Sequence, residues 1–366
     1  MKVLFSGGGT GGHIYPALAI REALEIELSA RGEQLESAYM GVCGGMEERI
    51  VERVAELPFL GVCAQGMPRS FSLKWFSFPF VNLLGILDAF NHLRRFGPDL
   101  VVATGGFVAF PALMAAKILG IKYIIHEQNA AMGVTNRFFA GSAELVLLTY
   151  ESAAKVDGKR IVMSGNPVRG SFLGAANEKG RFCKGEDEFW VLSVGGSRGA
   201  LSINRAVVDL VKNWLPRKKK IRFLHISGER DHEMVLTAIP EPPENYTLLP
   251  YLHEMKEAFD VADLVVSRAG ATILSELAVC GKPAILVPFP YATDNHQEKN
   301  ARVLEELGGA SVLLDSELSG DKLAGLIEQL IEKDELGNMS SAMRKSRPEN
   351  VEKNIAQLIL DSCNPS

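Results

Sequence analysis

The chain has 366 residues, 47% of them hydrophobic and 23% charged, a globular composition whose length suits two domains better than one. A formal net charge of -5 excludes a general polyanion binder, because nucleic-acid proteins carry a strong basic footprint. The five cysteines (Cys43, Cys63, Cys183, Cys280 and Cys363) are scattered, odd in number and form no CxxC pair, so they read as reduced thiols of a cytosolic protein rather than staples or metal ligands.

The chain opens with an apolar strand over residues 2–6, too short for a secretory signal because it runs straight into glycines. A glycine loop over 7–12 follows, then a helical pattern over 15–31 that Gly32 can stop. Further strands are expected at 37–42, 100–104, 122–126 and 145–148, with a helix over 109–119 between two of them. Strand-helix alternation of this kind implies a parallel sheet covered on both faces. Near residue 165 the pattern restarts: a strand at 189–194, a second glycine loop at 195–199 and a helix over 202–214. Strands at 222–227, 264–267 and 284–287 continue the series, with residues 275–280 inside a helix. The boundary is placed near Asn166-Pro167, giving domains of 1–165 and 166–345. A final amphipathic helix within 346–366 is expected to pack back on the first domain. No stretch approaches the roughly 20 apolar residues of a membrane-spanning helix, so a soluble or peripheral protein is expected.

Gly7, Gly9 and Gly12 satisfy GxGxxG between a strand and a helix, a pattern of dinucleotide sites. Any anion suits such a loop, since glycine admits close backbone approach and the helix start supplies N–H groups and a positive dipole end. A nicotinamide enzyme also wants an acidic residue ending the second strand; here Gly41-Val42-Cys43-Gly44-Gly45 carries no carboxylate until Glu47. His13, at the loop mouth, is placed for proton transfer or phosphate contact, against the plainer role of a packed or capping histidine. Thr104-Gly105-Gly106 and His126-Glu127-Gln128-Asn129 end two further strands, and ligands of open parallel sheets bind beyond the carboxyl ends of the strands. The three loops are therefore expected to point into one crevice. In the second half, the loop 195–199 can hold a diphosphate. The segment 267–276 carries Glu276 about one and a half turns into a helix, where its two oxygens suit a ribose diol or plain solvent. The polar run 288–300 holds Asp294, Asn295, His296, Gln297 and Asn300, residues that can read sugar hydroxyls or form an ordinary solvated loop.

Taken in order, GGGTGGHIYPALA, GGFVAFPA, HEQNAAMGVTNR, SGNPVR, GGSRGALSIN and SRAGATILSELAVCGKPAILVPFPYATDNHQEKNA resemble the MurG family of peptidoglycan-synthesis N-acetylglucosaminyltransferases over about residues 2–345. The resemblance implies an α/β GT-B glycosyltransferase, two Rossmann-like domains facing across a cleft. It implies an inverting, metal-independent and cofactor-free transfer of N-acetylglucosamine from UDP-N-acetylglucosamine. The acceptor is the C4 hydroxyl of undecaprenyl-pyrophosphoryl-N-acetylmuramyl-pentapeptide (lipid I to lipid II). By carry-over of motifs, Thr10, Gly11, Gly12, Asn129, Arg169, Ser197, Gln297 and Asn300 are expected at the donor. Ala271, Thr272, Ile273, Leu274, Ser275 and Glu276 are expected at uridine and ribose, and Leu252 near uracil. Gly9, Gly105 and Gly106 are expected at the acceptor pyrophosphate, with His13 as general base and Glu127 as the carboxylate alternative. Phe107 stands where some members have tyrosine, and Arg198 where others have glutamine, adding a cation near the diphosphate.

A lipid-linked acceptor requires bilayer contact. Arg69, Phe71, Lys74, Trp75, Phe76 and Phe78, followed by Phe80, Leu83, Leu84 and Leu87, mix aromatic and basic residues in a short apolar stretch, as suits an anionic membrane surface. A buried loop and helix is the alternative. The resemblance places the chain peripherally on the cytoplasmic face of the bacterial membrane, among cell-wall synthesis or division proteins as further partners.

Overall fold

The structure, a computed structural model, describes residues 1–67, 74–154, 160–174, 180–195 and 199–363. The chain divides into two compact units, Met1–Gly170 with Pro348–Ser366, and Ser171–Arg347.

The first unit runs β1 (Lys2–Gly7), α1 (Gly11–Ala30), β2 (Glu36–Val42), α2 (Met46–Val54), β3 (Phe59–Val62), α3 (Lys74–Phe96), β4 (Leu100–Gly105), α4 (Ala109–Leu119), β5 (Lys122–Glu127), α5 (Val134–Ala140), β6 (Leu145–Leu148) and β7 (Ile161–Met163). The strands form a parallel sheet in the order β3-β2-β1-β4-β5-β6-β7. Successive strand residues go to opposite faces. Leu4, Met40, Val101 and Ile125 enter one core with Ala112 and Leu113 of α4 and Phe139 of α5. Val3, Phe5, Tyr39, Val102 and Ile124 enter the other with Ile14, Ala17 and Leu24 of α1. Burial on both faces explains why these strands read as unbroken apolar runs.

The second unit begins within α6 (Gly170–Leu173), followed by β8 (Phe189–Val194), α7 (Leu201–Asn213), β9 (Ile221–Ile226), α8 (His232–Ala238), β10 (Tyr246–Leu249), α9 (Met255–Val261), β11 (Leu264–Ser267), α10 (Ala271–Cys280), β12 (Ala284–Leu286), α11 (His296–Glu306), β13 (Ala310–Val312), α12 (Gly320–Glu332) and α13 (Leu336–Lys345). Its parallel sheet is ordered β10-β9-β8-β11-β12-β13. The last helix, α14 (Val351–Cys363), belongs to the first unit and packs on α1. There Val351, Ile355 and Ile359 are fully buried, each burial contributing about 1.5–3 kcal/mol.

Each sheet therefore starts with its first strand in the middle and grows outward in both directions, the doubly wound order. The direction reverses between β1 and β4 in one sheet and between β8 and β11 in the other. Ligands of such sheets bind in the crevice at that reversal.

Candidate active site

In the first unit the reversal is occupied by the loops after β1 and β4, which hydrogen-bond to each other. Gly8 N–H donates to the Gly105 carbonyl at 3.3 Å. Gly106 has φ +80 and lies so close to the Gly8 carbonyl that a side chain there would run into it. Thr104 donates its hydroxyl to the His13 carbonyl at 2.7 Å, tying β4 to the first turn of α1. His13 lies at the head of that helix, its Nδ1 3.1 Å from Thr10 Oγ1, with Gly11 and Gly12 forming the helix start. Phe107, 38% exposed, lays its ring against Gly9.

The loop after β5 joins this assembly through Gln128, whose amide donates to the Thr104 carbonyl at 2.9 Å. Its other side chains turn inward. His126 is fully buried and donates Nε2–H to the Gly165 carbonyl (3.1 Å); burial lowers its pKa to about 4 and keeps the ring neutral. Glu127 is 1% exposed. One of its oxygens accepts from Asn129 N–H (3.0 Å) and Asn129 Nδ2 (3.1 Å), the other from Gly133 N–H (2.9 Å) and Asn136 Nδ2 (2.8 Å). Burial pushes its carboxyl pKa up, and the four N–H donors pull it back. Arg169 belongs to the first unit, its guanidinium 4.7 Å from the centroid of the Tyr15 ring.

In the second unit the reversal lies at the loops after β8 and β11. Ser197 and Arg198 fall outside the described residues. The β11 loop is braced by Arg268, whose side chain is largely buried. Arg268 donates to Asp315 Oδ1 (2.5 Å), to the carbonyls of Val287 and Pro288 (3.2 Å each) and to Ser202 Oγ (2.8 Å). Gln297 Oε1 accepts from Ala269 N–H (3.2 Å) and Phe289 N–H (3.0 Å), bridging the loops after β11 and β12. Asn300 is fully buried and donates to the Ala269 carbonyl at 3.2 Å.

Residues 271–276 form the first turn and a half of α10. Ala271, Leu274, Ser275 and Glu276 are buried to 8% exposure or less, whereas Thr272 and Ile273 are half-buried. Ser275 donates to the Ala271 carbonyl (2.9 Å). Thr272 Oγ1 is buried and without a hydrogen-bond partner among the described residues. Leu252, 6% exposed, follows β10.

Sequence reasoning missed the supports: Tyr39 and Asn136 in one unit, Ser202 and Asp315 in the other. It also missed a network behind Gly199. There buried Asn204 donates to the Ser227 carbonyl and Asp231, and His225 bridges Asn204 to Tyr246. Burial lowers the His225 pKa to about 3. A visible signal existed for one member, since His225 stands between the apolar Leu224 and Ile226 of β9.

Of the expected membrane residues, Arg69 and Phe71 fall outside the described residues. Lys74 begins α3, where Phe78 is half-buried and Trp75 is exposed. Phe76 and Phe80 are 72% and 70% exposed, and Leu83, Leu84 and Leu87 each more than half. This i, i+4, i+7, i+8, i+11 set forms one apolar helix face turned to solvent. No helix among the described residues is long and apolar enough to cross a membrane.

Two family descriptions match the chain: the N-terminal domain of glycosyltransferase family 28 over residues 3–148 and its C-terminal domain over residues 190–358. A UDP-N-acetylglucosamine–N-acetylmuramyl-(pentapeptide) pyrophosphoryl-undecaprenol N-acetylglucosamine transferase of Desulfitobacterium hafniense is 40% identical over 99% of both chains. A relative of the same name from Halothermothrix orenii is 41% identical over 90% of both. Among solved structures, Acinetobacter baumannii MurG has a TM-score of 0.75 at 27% identity, covering 98% of this chain and 99% of that one. The calicheamicin glycosyltransferase CalG4 has a TM-score of 0.68 at 14% identity and shares the GT-B fold alone. Two Rossmann-like units carrying both family 28 domains, and about 40% identity along nearly the whole length, place this chain in the MurG family of N-acetylglucosamine transferases.

Proposed function

We propose that this protein transfers N-acetylglucosamine from UDP-N-acetylglucosamine to an N-acetylmuramyl-pentapeptide carried on pyrophosphoryl-undecaprenol. The observation that carries the reading is the near-full-length identity to relatives of that name. The reading is supported by a glycine loop and helix start at the reversal of the first sheet and by the start of α10 at the reversal of the second.

In this reading the acceptor's C4 oxygen attacks the anomeric carbon of the donor sugar. The new glycosidic bond forms as the bond from that carbon to the UDP oxygen breaks, and the acceptor proton passes to a base. His13 suits that role better than Glu127. Its Nδ1 lies 3.1 Å from Thr10 Oγ1, and in the tautomer that carries the proton on Nδ1, donated to Thr10, Nε2 holds the lone pair a base requires. Glu127 instead has both oxygens engaged by four N–H donors in a buried setting, so its role is to hold Asn129 and the loop to Gly133. The departing diphosphate is stabilised by backbone N–H groups and helix starts, with Ser197, Arg198 and Arg169 as further donors. Loss of one such donor commonly raises the barrier by about 3 kcal/mol.

Uridine and ribose are assigned to the head of α10, with Leu252 near uracil. Glu276 binds the ribose diol, and the unpartnered hydroxyl of Thr272 is a group that a ligand there satisfies. Gln297 meets the sugar, while buried Asn300 acts by fixing Ala269. The apolar face of α3 seats the protein on an anionic membrane surface, where the lipid acceptor resides. The direct test is UDP release from UDP-N-acetylglucosamine, with and without a lipid-pyrophosphoryl-muramyl-pentapeptide analogue. Acceptor-dependent release is expected, and it continues in EDTA because no divalent cation enters the step. Donor binding without acceptor-dependent release refutes the assignment.

A further inference from the structure

Glu47 is the second residue of α2, and it is only 2% exposed. Its carboxylate is taken up by backbone N–H groups: Oε1 accepts from Val42 at 2.9 Å, and Oε2 from Gly9 at 3.4 Å. The chain around it leaves no room for side chains. A Cβ at Gly41 would stand 2.5 Å from Glu47 Cγ, and one at Gly8 2.9 Å from Oε2. Beside it, buried Tyr39 donates its hydroxyl to the Gly7 carbonyl at 2.6 Å, so the start of the glycine loop is held from the same side. The support then passes across the sheet reversal, because Gly8 N–H bonds the Gly105 carbonyl and Gly106 packs on the Gly8 carbonyl. Gly9, Gly105 and Gly106 thus rest, directly or through one peptide, on a single buried carboxylate.

A negative charge behind an anion-binding loop opposes anion binding by simple Coulomb repulsion. Its place there is accounted for by geometry, since a carboxylate can accept two N–H bonds that no neutral side chain of that length accepts as strongly. We propose that Glu47 is a positioning residue for the acceptor pyrophosphate, fixing the Gly8–Gly9 peptide from behind and, through it, the Gly105–Gly106 turn. This rests on the reading of the reaction given above.

The test is Glu47→Gln, which keeps the shape but replaces one accepting oxygen by an NH2 group. The acceptor KM is expected to rise about ten-fold, the scale of one lost hydrogen bond to a charged group, while donor KM and thermal stabilisation by UDP stay at wild-type values. Inorganic pyrophosphate, titrated calorimetrically against wild type and variant, reads the same loop without turnover and is expected to bind the variant more weakly. Glu47→Asp, too short to reach both amides, is expected to show the same acceptor-selective defect. An unchanged or lower acceptor KM, or an equal rise in both KM values, overturns the proposal. So does failure of both variants to fold, which makes Glu47 a folding residue. Absence of acceptor-dependent UDP release in the wild type overturns the reading of the reaction instead, and weakened pyrophosphate binding in the variant then still upholds the role of Glu47.

Discussion

Replacing Glu127 by glutamine separates two roles that a carboxylate at a strand end can have. The side chain accepts four N–H bonds of 2.8 to 3.1 Å, two on each oxygen. Glutamine keeps one oxygen and turns an NH2 group towards the other two donors. Losing two bonds to a charged group costs about 1.5–3 kcal/mol each. Relief of the carboxylate's own desolvation returns part of that, leaving a net loss of about 3 kcal/mol. For a unit of this size such a loss lowers the melting temperature by about 6–12 °C. Scanning calorimetry is expected to show that shift in the first unit, while UDP still stabilises the second. Steady-state UDP release is expected to show a lower kcat together with a raised acceptor KM. A variant that melts like the wild type but no longer turns over would refute this reasoning and make Glu127 the base.

Four further outcomes are expected. His13→Ala lowers kcat by at least a hundred-fold, the usual scale for a lost general base, and leaves UDP-sugar affinity within a few-fold; equal loss of both removes His13 from the chemistry. Glu276→Ala raises donor KM about ten-fold or more, and an unchanged donor KM ends its ribose role. The folded pKa values of His126 and His225, about 4 and about 3, lie below the unfolded value near 6.5. Their neutral burial therefore contributes stability that is complete above pH 6.5 and shrinks as pH falls, by about 3 kcal/mol per histidine at pH 4. Urea titrations of His126→Gln and His225→Gln at pH 7 and pH 4 should show a flatter pH dependence than wild type; parallel profiles exclude these groups. Serine at Phe76, Phe80 and Leu84 should weaken binding to anionic vesicles about a hundred-fold, with activity on a water-soluble acceptor analogue retained. Loss of both activities together indicates misfolding.

The central strands were legible because each is buried on both faces and spells a continuous apolar run. The strands absent from the sequence reading, Phe59–Val62, Ile161–Met163, Tyr246–Leu249 and Ala310–Val312, all lie at the edges of the two sheets. Each is only three or four residues long, too short a run for the pattern that marks its neighbours to stand out. The glycine loops after β1 and β4 were equally plain, since their composition is tied to the backbone approach they permit. What composition could not show was direction. A carboxylate ending an apolar strand, as Glu127 does, or opening a helix, as Glu47 does, is free, on paper, to face solvent or core, and only the donors gathered around it decide which. Asn300 illustrates the same limit, for its motif position suggests sugar contact while its amide is buried against Ala269.

The dependence of α1 on α14 bears on the order in which the polypeptide can mature. The apolar side of α1, with Ile14, Ala17 and Leu24, shares its core with Val351, Ile355 and Ile359, which are translated only after the whole second unit. A nascent chain therefore carries a half-covered first unit while the second, continuous in sequence, can already be complete. Any product interrupted before Pro348 keeps the second unit and leaves the α1 surface uncovered, a ready target for chaperones and proteases. In this protein, translation through residue 360 is the step that converts a chain with a half-covered first unit into a lasting enzyme.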